Sequence, residues 1–153
     1  MEIEIKPVNN NRSSLLKILL LADPDPPKQI AKYLEVADVF AIMVGPPQTL
    51  GAVAVLKKND TIVEIKNIAV LPAYRGRGLA SYTISNLFEH YHQLGYSQMK
   101  VGTANSSLDN LRFYQKLGFR FNSIQPNYFT EYAQPIFEND IRAVDLIILT
   151  RPI

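Results

Sequence analysis

Two features of this chain have residue types and spacing suited to chemistry: a carboxylate inside an apolar run, and a turn rich in glycine and arginine that follows it. Glu64 is surrounded by Val63, Ile65 and the apolar stretch 68–71, the pattern of a buried strand. A carboxylate in such a run costs several kcal/mol unless it is paired, protonated or open to a cleft. In a cleft it becomes a candidate general base, because burial raises a carboxyl pKa from about 4.3 towards neutrality. The plain alternative is an ion pair with Lys66 or an edge position facing water. Pro72 then ends the strand, and Arg75-Gly76-Arg77-Gly78-Leu79-Ala80 opens a helix. Glycine lets backbone approach a ligand with no Cβ in the way. The first N–H groups of a helix lack partners and carry partial positive charge, which suits a phosphate or pyrophosphate. Arg75 and Arg77 add charge-assisted donors. The plain alternative is an exposed turn. A dinucleotide-binding fingerprint is excluded, since Gly76-x-Gly78 is followed by Ser81 and residues 96–100 hold no acidic side chain. A P-loop is excluded because no Gly-Lys-Ser/Thr follows.

The remaining elements have to position these two features. Ile3 and Ile5 alternate with Glu2, Glu4 and Lys6, which predicts a strand over 2–8. Leu15, Leu16, Leu19 and Leu20 predict a helix that stops near Asp23-Pro24. Pro26 and Pro27 precede a second helix to about residue 36, with Ile30, Ala31 and Leu34 inward. Strands are expected over 39–44 and 50–56, joined by the turn Gly45-Pro46-Pro47, with a polar turn at 57–60 leading into the Glu64 strand. After Gly78, Leu79, Tyr82 or Thr83, Leu87, Tyr91 and Leu94 step along one helix face to Gly95. A strand over 99–103 follows. Ser106, with Asp109 three residues on, is expected to cap a helix whose Leu111, Tyr114 and Leu117 share a side and which Gly118 ends. On residues alone Tyr114 reads as a core aromatic. A strand over 119–124, a mixed aromatic and acidic segment over 125–143, and a last strand over 144–149 complete the order β-α-α-β-β-β-α-β-α-β-β. The expectation is a mixed α/β (α+β) single domain over 1–153 with a central, largely antiparallel sheet flanked by helices.

Arg75-x-x-Gly78-x-Ala80 after a strand ending in Ala69-Val70 resembles the coenzyme-A pyrophosphate signature of the GNAT N-acetyltransferase superfamily, R/Q-x-x-G-x-G/A. The stretch 105–119, ending Tyr114-Gln115-Lys116-Leu117-Gly118-Phe119, resembles that superfamily's helix ending in Y-x-K-x-G-F. The resemblance implies a GNAT-like fold and an acetyl-CoA-dependent N-acetyltransferase that moves the acetyl group directly to a primary amine. It implies that Arg75, Gly76, Arg77, Gly78, Leu79 and Ala80 cradle the pyrophosphate, and that backbone near Ile68, Ala69 and Val70 polarises the thioester carbonyl. Glu64 matches the general base of the histone-acetylating branch. Tyr114 matches the tyrosine that protonates the departing thiolate. An asparagine before the last helix touches the coenzyme arm in similar enzymes. Asn105 lies farther from Tyr114 than that residue usually does and Asn110 lies nearer, so both stay candidates. Homodimers are common among similar proteins, and the sequence identifies no interface.

Tyr128, Phe129, Tyr132 and Glu138 are the candidate acceptor-binding residues, since aromatic rings beside a carboxylate suit a cationic amine. The competing reading is a surface loop packing its rings on the sheet. His90 and His92 are two apart on a helix, cannot share a metal, and are expected at the surface. No metal is expected. The 153 residues carry a net charge of +2, which argues against a nucleic-acid partner. There is no cysteine, hence no disulfide scaffold and no cysteine nucleophile. No apolar run reaches membrane-spanning length, MEIEIKP lacks a signal-peptide shape, and the expected location is cytoplasmic. Two other functions fit the same residues: a non-catalytic acyl-CoA sensor, and an acyltransferase with a different acyl donor or an alcohol acceptor.

Overall fold

Seven strands form one sheet in the computed structural model, which describes residues 2–22, 27–45 and 48–153, and two runs rich in apolar and β-branched residues, Thr49–Lys57 and Ile62–Val70, lie at its middle. The strands are β1 (Ile3–Pro7), β2 (Asp38–Val44), β3 (Thr49–Lys57), β4 (Ile62–Val70), β5 (Gln98–Ala104), β6 (Arg120–Gln125) and, last in the chain, β9 (Leu146–Pro152). Their order in the sheet is β1-β2-β3-β4-β5-β9-β6. Every neighbouring pair is antiparallel except β4 and β5. Helices α1 (Leu16–Leu19), α2 (Pro27–Leu34), α3 (Leu79–Gln93) and α4 (Leu108–Lys116) flank the sheet. The chain has the mixed, mostly antiparallel architecture that the sequence predicts.

Each face of the sheet has its own apolar cluster. On one face Val53, Val55, Val63 and Ile65 pack with Ile84, Leu87 and Tyr91 of α3, Tyr114 of α4, and Phe119. On the other, Ala52 and Ala54 pack with Leu15, Leu19, Ile30 and Leu34 of the N-terminal helices. Alternation along β3 puts neighbouring side chains into opposite clusters. Arg12 ties the second layer together, donating from Nε to the Val8 carbonyl at 2.9 Å and from Nη1 to the Leu34 carbonyl at 2.8 Å.

The structure departs from the sequence expectation in several places. The helix after the glycine turn begins at Leu79, not Arg75, because Gly76 and Gly78 both have left-handed backbone, φ 76° and 78°, that an α-helix cannot include. Leu94 follows the end of α3 and is 57% exposed. Ala31 is exposed, and α2 ends at Leu34, before Val36. The cap expected at Ser106 and Asp109 does not form: Ser107 is the N-cap of α4, without a side-chain cap bond, and Ser106 is fully buried. The segment 125–143 holds a hairpin of β7 (Phe137–Glu138) and β8 (Ile141–Arg142). Its two loop residues, Asn139 and Asp140, both have positive φ, 55° and 62°, the backbone of a tight hairpin turn. The final strand begins at Leu146 rather than residue 144. The expected stop at Asp23-Pro24, the helix entry at Pro26 and the turn at Pro46-Pro47 lie outside the described residues.

Candidate active site

The site is made by two strands that stop pairing. β4 and β5 are in parallel register from Ile62↔Gln98 to Ile65↔Val101 and no further, although β4 runs on to Val70 and β5 to Ala104. β4 stays with β3 up to Gly51↔Val70, and β5 stays with β9 up to Ala104↔Leu146. The two halves of the sheet therefore separate beyond Ile65. A bulge marks the departure: Ala54 pairs with Asn67 and Val55 with Ile65, leaving Lys66 as the extra residue. The bulge resets the alternation. Val63, Ile65 and Ile68 belong to the α3 side, whereas Lys66 lies over the Tyr33 ring and Asn67 donates to the Leu19 carbonyl at 2.9 Å and the Tyr33 hydroxyl at 3.0 Å, on the opposite face.

A cleft of about 990 Å³ opens at this split. The unpaired edge of β4 faces into it. Leu71 donates its N–H to the Leu50 carbonyl on β3, so alternation aims the N–H groups of Ile68 and Val70 away from β3, towards the split, and that of Ala69 towards β3. Of these three backbone donors, the geometry leaves Ile68 and Val70 to a ligand.

The glycine turn closes one end. Gly78 is the N-cap of α3, no side chain caps the helix, and Leu79 anchors its first turn in the core. Gly78, Leu79, Ala80 and Ser81 line the cleft. Arg75 is held against the strand end by a 3.0 Å bond from its Nε to the Val70 carbonyl. Arg75 and Gly76 also line the cleft; Arg77 does not, and its guanidinium lies over the Tyr74 ring at 5.5 Å. An uncapped helix start beside an oriented arginine fits a pyrophosphate, so the residues present are compatible with coenzyme A.

Glu64 lines the cleft where the split begins. Its side chain is 17% exposed and its partner is Lys58, Nζ to Oε1 at 3.6 Å, across the β3–β4 turn. Lys66, the partner that sequence adjacency suggests, is instead on the Tyr33 ring. Tyr114 lines the wall opposite β4 and is 6% exposed, edge-on to Phe113 and Phe119 at ring separations of 5.0 and 5.5 Å. Burial pushes its phenol well above the usual value, so the hydroxyl keeps its proton. Tyr114 is therefore a core aromatic that also lines the cleft.

Asn105 and Asn110 separate clearly. Asn110 lines the cleft. The amide of Asn105 ties down the segment before β9, donating to the Arg142 carbonyl at 3.1 Å and accepting from the N–H groups of Val144 and Asp145 at 2.8 and 3.0 Å. At the far end Tyr128, Phe129, Tyr132 and Glu138 all line the cleft. Phe129 is buried between the other two rings, 4.8 Å from Tyr128 and 5.7 Å from Tyr132. Ser107 donates its hydroxyl to Glu138 at 2.7 Å, and Asn139 donates to the Ser106 carbonyl at 2.9 Å, which fixes the hairpin to the start of α4. Sequence reasoning missed Ser107 and the cleft-lining Asn67, Gly102 and Arg112. Only the spacing of Arg112 and Lys116, four apart on one helix, was readable beforehand. The two histidines are exposed, His90 stacking edge-on with Phe40 at 5.6 Å, and among the described residues no group of His, Cys, Asp or Glu could hold a metal.

The fold is a mixed sheet that splits between two parallel strands, with the candidate site in the split. Residues 21–119 match the Acetyltransferase (GNAT) family, and the chain belongs to it. It is 34% identical over 151 residues to the uncharacterized N-acetyltransferase YvbK of Bacillus subtilis strain 168, covering 97% of this chain and 94% of that protein. A GNAT family acetyltransferase from Elizabethkingia anophelis, solved with acetyl-CoA bound, superposes with a TM-score of 0.92 at 31% identity, over 99% of this chain and 98% of that one. A Bacillus subtilis acetyltransferase in complex with CoA superposes with a TM-score of 0.91 at 31% identity, over 99% of both chains.

Proposed function

We propose that residues 1–153 form one domain that transfers an acetyl group from acetyl-CoA directly to a primary amine, in the cytoplasm. The observation that carries this is the meeting, in one cleft, of an unpaired strand edge, an uncapped helix start, a carboxylate and a buried phenol. Structural relatives solved with acetyl-CoA and with CoA support the donor.

Bound acetyl-CoA would supply the activated acyl group. Its pyrophosphate would rest on the N–H groups of Leu79, Ala80 and Ser81, with Arg75 beside them and Asn110 along the coenzyme arm. The N–H groups of Ile68 and Val70 would donate to the thioester carbonyl oxygen as negative charge develops there. An amine with a pKa of about 10.4 is mostly protonated at neutral pH. Glu64 accepts that proton, directly or through water, once its ion pair with Lys58 gives way to the substrate. The free amine then attacks the carbonyl carbon, and holding the two partners together supplies much of the rate. Tyr114 donates a hydrogen bond to the departing thiolate, which takes up the proton that the new amide nitrogen sheds. Burial keeps the phenol neutral, so it acts as a hydrogen-bond donor that retains its own proton. Tyr128, Phe129, Tyr132 and Glu138 would receive the rest of a cationic acceptor.

Thiol release from acetyl-CoA, measured over a panel of primary amines, tests this reading. Amine-dependent release with Glu64 intact is expected. Coenzyme binding without release for any amine or alcohol would point to a sensor instead, and faster release from a longer acyl thioester would reassign the donor.

A further inference from the structure

The cleft is lined from both faces of the sheet. Phe113 and Tyr114 of α4 line it on one face, and Leu21, Lys66 and Asn67 line it on the other. Glu64 belongs with the second set. It stands between Val63 and Ile65, which join the α3 cluster, and its strand partner Leu56 packs in the opposite cluster. Alternation along β9 brings Leu146 to the same face, where it packs with Phe129, Tyr128 and Tyr132. The mouth away from α3 and α4 thus has a polar wall on β4 and an aromatic wall beside β5.

The polar wall is short of partners. Lys66, the bulged residue of β4, is partly buried, yet among the described residues its ammonium meets no carboxylate and rests over the Tyr33 ring at 5.7 Å. Two carboxylates line the cleft and both are engaged elsewhere, Glu64 with Lys58 and Glu138 with the Ser107 hydroxyl. Asn67 is 6% exposed, and its Oδ1 has no donor although its amide nitrogen makes two bonds. Burial of charged and polar groups is normally matched by a partner, so two open valences side by side mark a wall that a polar ligand completes. The other cations of the cleft, Arg75, Arg112 and Lys116, belong to the glycine turn and to α4.

We infer that the acceptor is an amino acid with an apolar or aromatic side chain, its carboxylate held by Lys66. The inference rests on the acetyl-transfer reading above. Glu64 and Lys66 are two residues apart on one face of β4, a carboxylate and an ammonium that do not pair with each other. A free amino acid carries the two complementary charges on one carbon. With its ammonium at Glu64 and its carboxylate at Lys66, both pairs form together. The amine then stays beside the N–H groups of Ile68 and Val70, and the side chain faces the rings of Tyr128, Phe129 and Tyr132. The lysine stem is flexible, so its ammonium can leave the Tyr33 ring for the carboxylate. A polyamine brings a second cation to Lys66, and a protein N-terminus brings a neutral amide, so neither fills this wall.

Thiol release from acetyl-CoA tests this with two matched sets: L-phenylalanine, L-phenylalaninamide and phenethylamine, and L-leucine, L-leucinamide and 3-methylbutylamine. Each rate is referred to the free-base fraction of its amine. Wild type should favour each amino acid over its amide and its decarboxylated amine by roughly tenfold in kcat/KM, expressed mainly in KM. Lys66→Gln should erase that preference and Lys66→Arg should keep most of it. Lys66→Glu should reverse it in favour of the decarboxylated amines, a change of sign that loss of folding cannot produce. Equal or better use of the amides by wild type overturns the inference and leaves acetyl transfer standing. Release with amines that bear no carboxylate, and none with either amino acid, has the same meaning. Persistence of the preference in Lys66→Gln also overturns it. No release with any amine overturns the acetyl-transfer reading and this one together.

Discussion

In the proposed mechanism Glu64 and Tyr114 have different roles and should fail differently. Glu64→Gln keeps the shape and removes the proposed base, so turnover should fall by roughly a hundredfold at neutral pH. Part of it should return as pH rises and free amine accumulates; parallel pH profiles for wild type and variant would remove Glu64 from the reaction. Tyr114→Phe keeps the packing against Phe113 and Phe119. It should lower kcat by about tenfold with KM for the donor nearly unchanged and the melting temperature held, since the ring supplies the stability and the hydroxyl the proposed hydrogen bond to the thiolate. The raised phenol pKa also has a stability consequence. Tyr114, and Tyr91 with its 2.7 Å bond to Asp38, both titrate above the value of about 10 that they have in the unfolded chain. Below pH 10 both are neutral in either state and their contribution is complete. Above pH 10 the unfolded chain releases protons that the folded one retains, so stability should fall with rising pH, and Tyr91→Phe should blunt that fall in a chemical-denaturation series.

The elements matter through where they stop. β4 leaves β5 after Ile65, and the bulge at Lys66 turns Asn67 towards α1 and α2, where its amide bridges Leu19 and Tyr33. Asn67→Ala should cost about 1–3 kcal/mol by removing the two buried bonds its amide donates, to the Leu19 carbonyl and the Tyr33 hydroxyl, read as a lowered urea midpoint. Gly51 lies under the same strand, where an added Cβ would come within 2.5 Å of the Ala69 carbonyl oxygen. Gly51→Ala should therefore push β4 aside, weaken coenzyme binding and destabilise the fold together, by about 1–3 kcal/mol. Gly78 meets no neighbour, so Gly78→Val acts through its left-handed backbone and should impair coenzyme binding more than Arg77→Ala, whose guanidinium rests on Tyr74.

Element types and order were legible because the apolar periods of β3, β4 and α3 are long and regular. The splitting of β4 from β5 was not, since pairing between strands separated by a helix is non-local. Nor was the Lys66 bulge: the successive polar pair Lys66-Asn67 breaks the alternation but does not say that one strand carries an extra residue there. The glycine turn could be read from composition alone. The division of labour between Asn105 and Asn110 could not, because it depends on which amide the segment before β9 consumes. Ser107 escaped notice because its partner, Glu138, is 31 residues away.

At the scale of the whole molecule, the two faces of the sheet carry separate apolar clusters, one under α3 and α4, which spans both halves of the split, and one under α1 and α2. The hairpin of β7 and β8 covers the far end, pinned to the start of α4 through Ser107 and Asn139. A coenzyme laid along this split would touch β4, α3 and α4 at once, so its binding should stabilise the whole fold. The measurement that bears most directly on the central claim is the melting temperature with acetyl-CoA, with free CoA and ATP alongside. At about 100 times its dissociation constant a ligand adds roughly 2.7 kcal/mol, a rise of about 5–10 °C for a chain of this size. The account predicts that rise with acetyl-CoA and with CoA, and none with ATP. No rise with either coenzyme at millimolar concentration would contradict it.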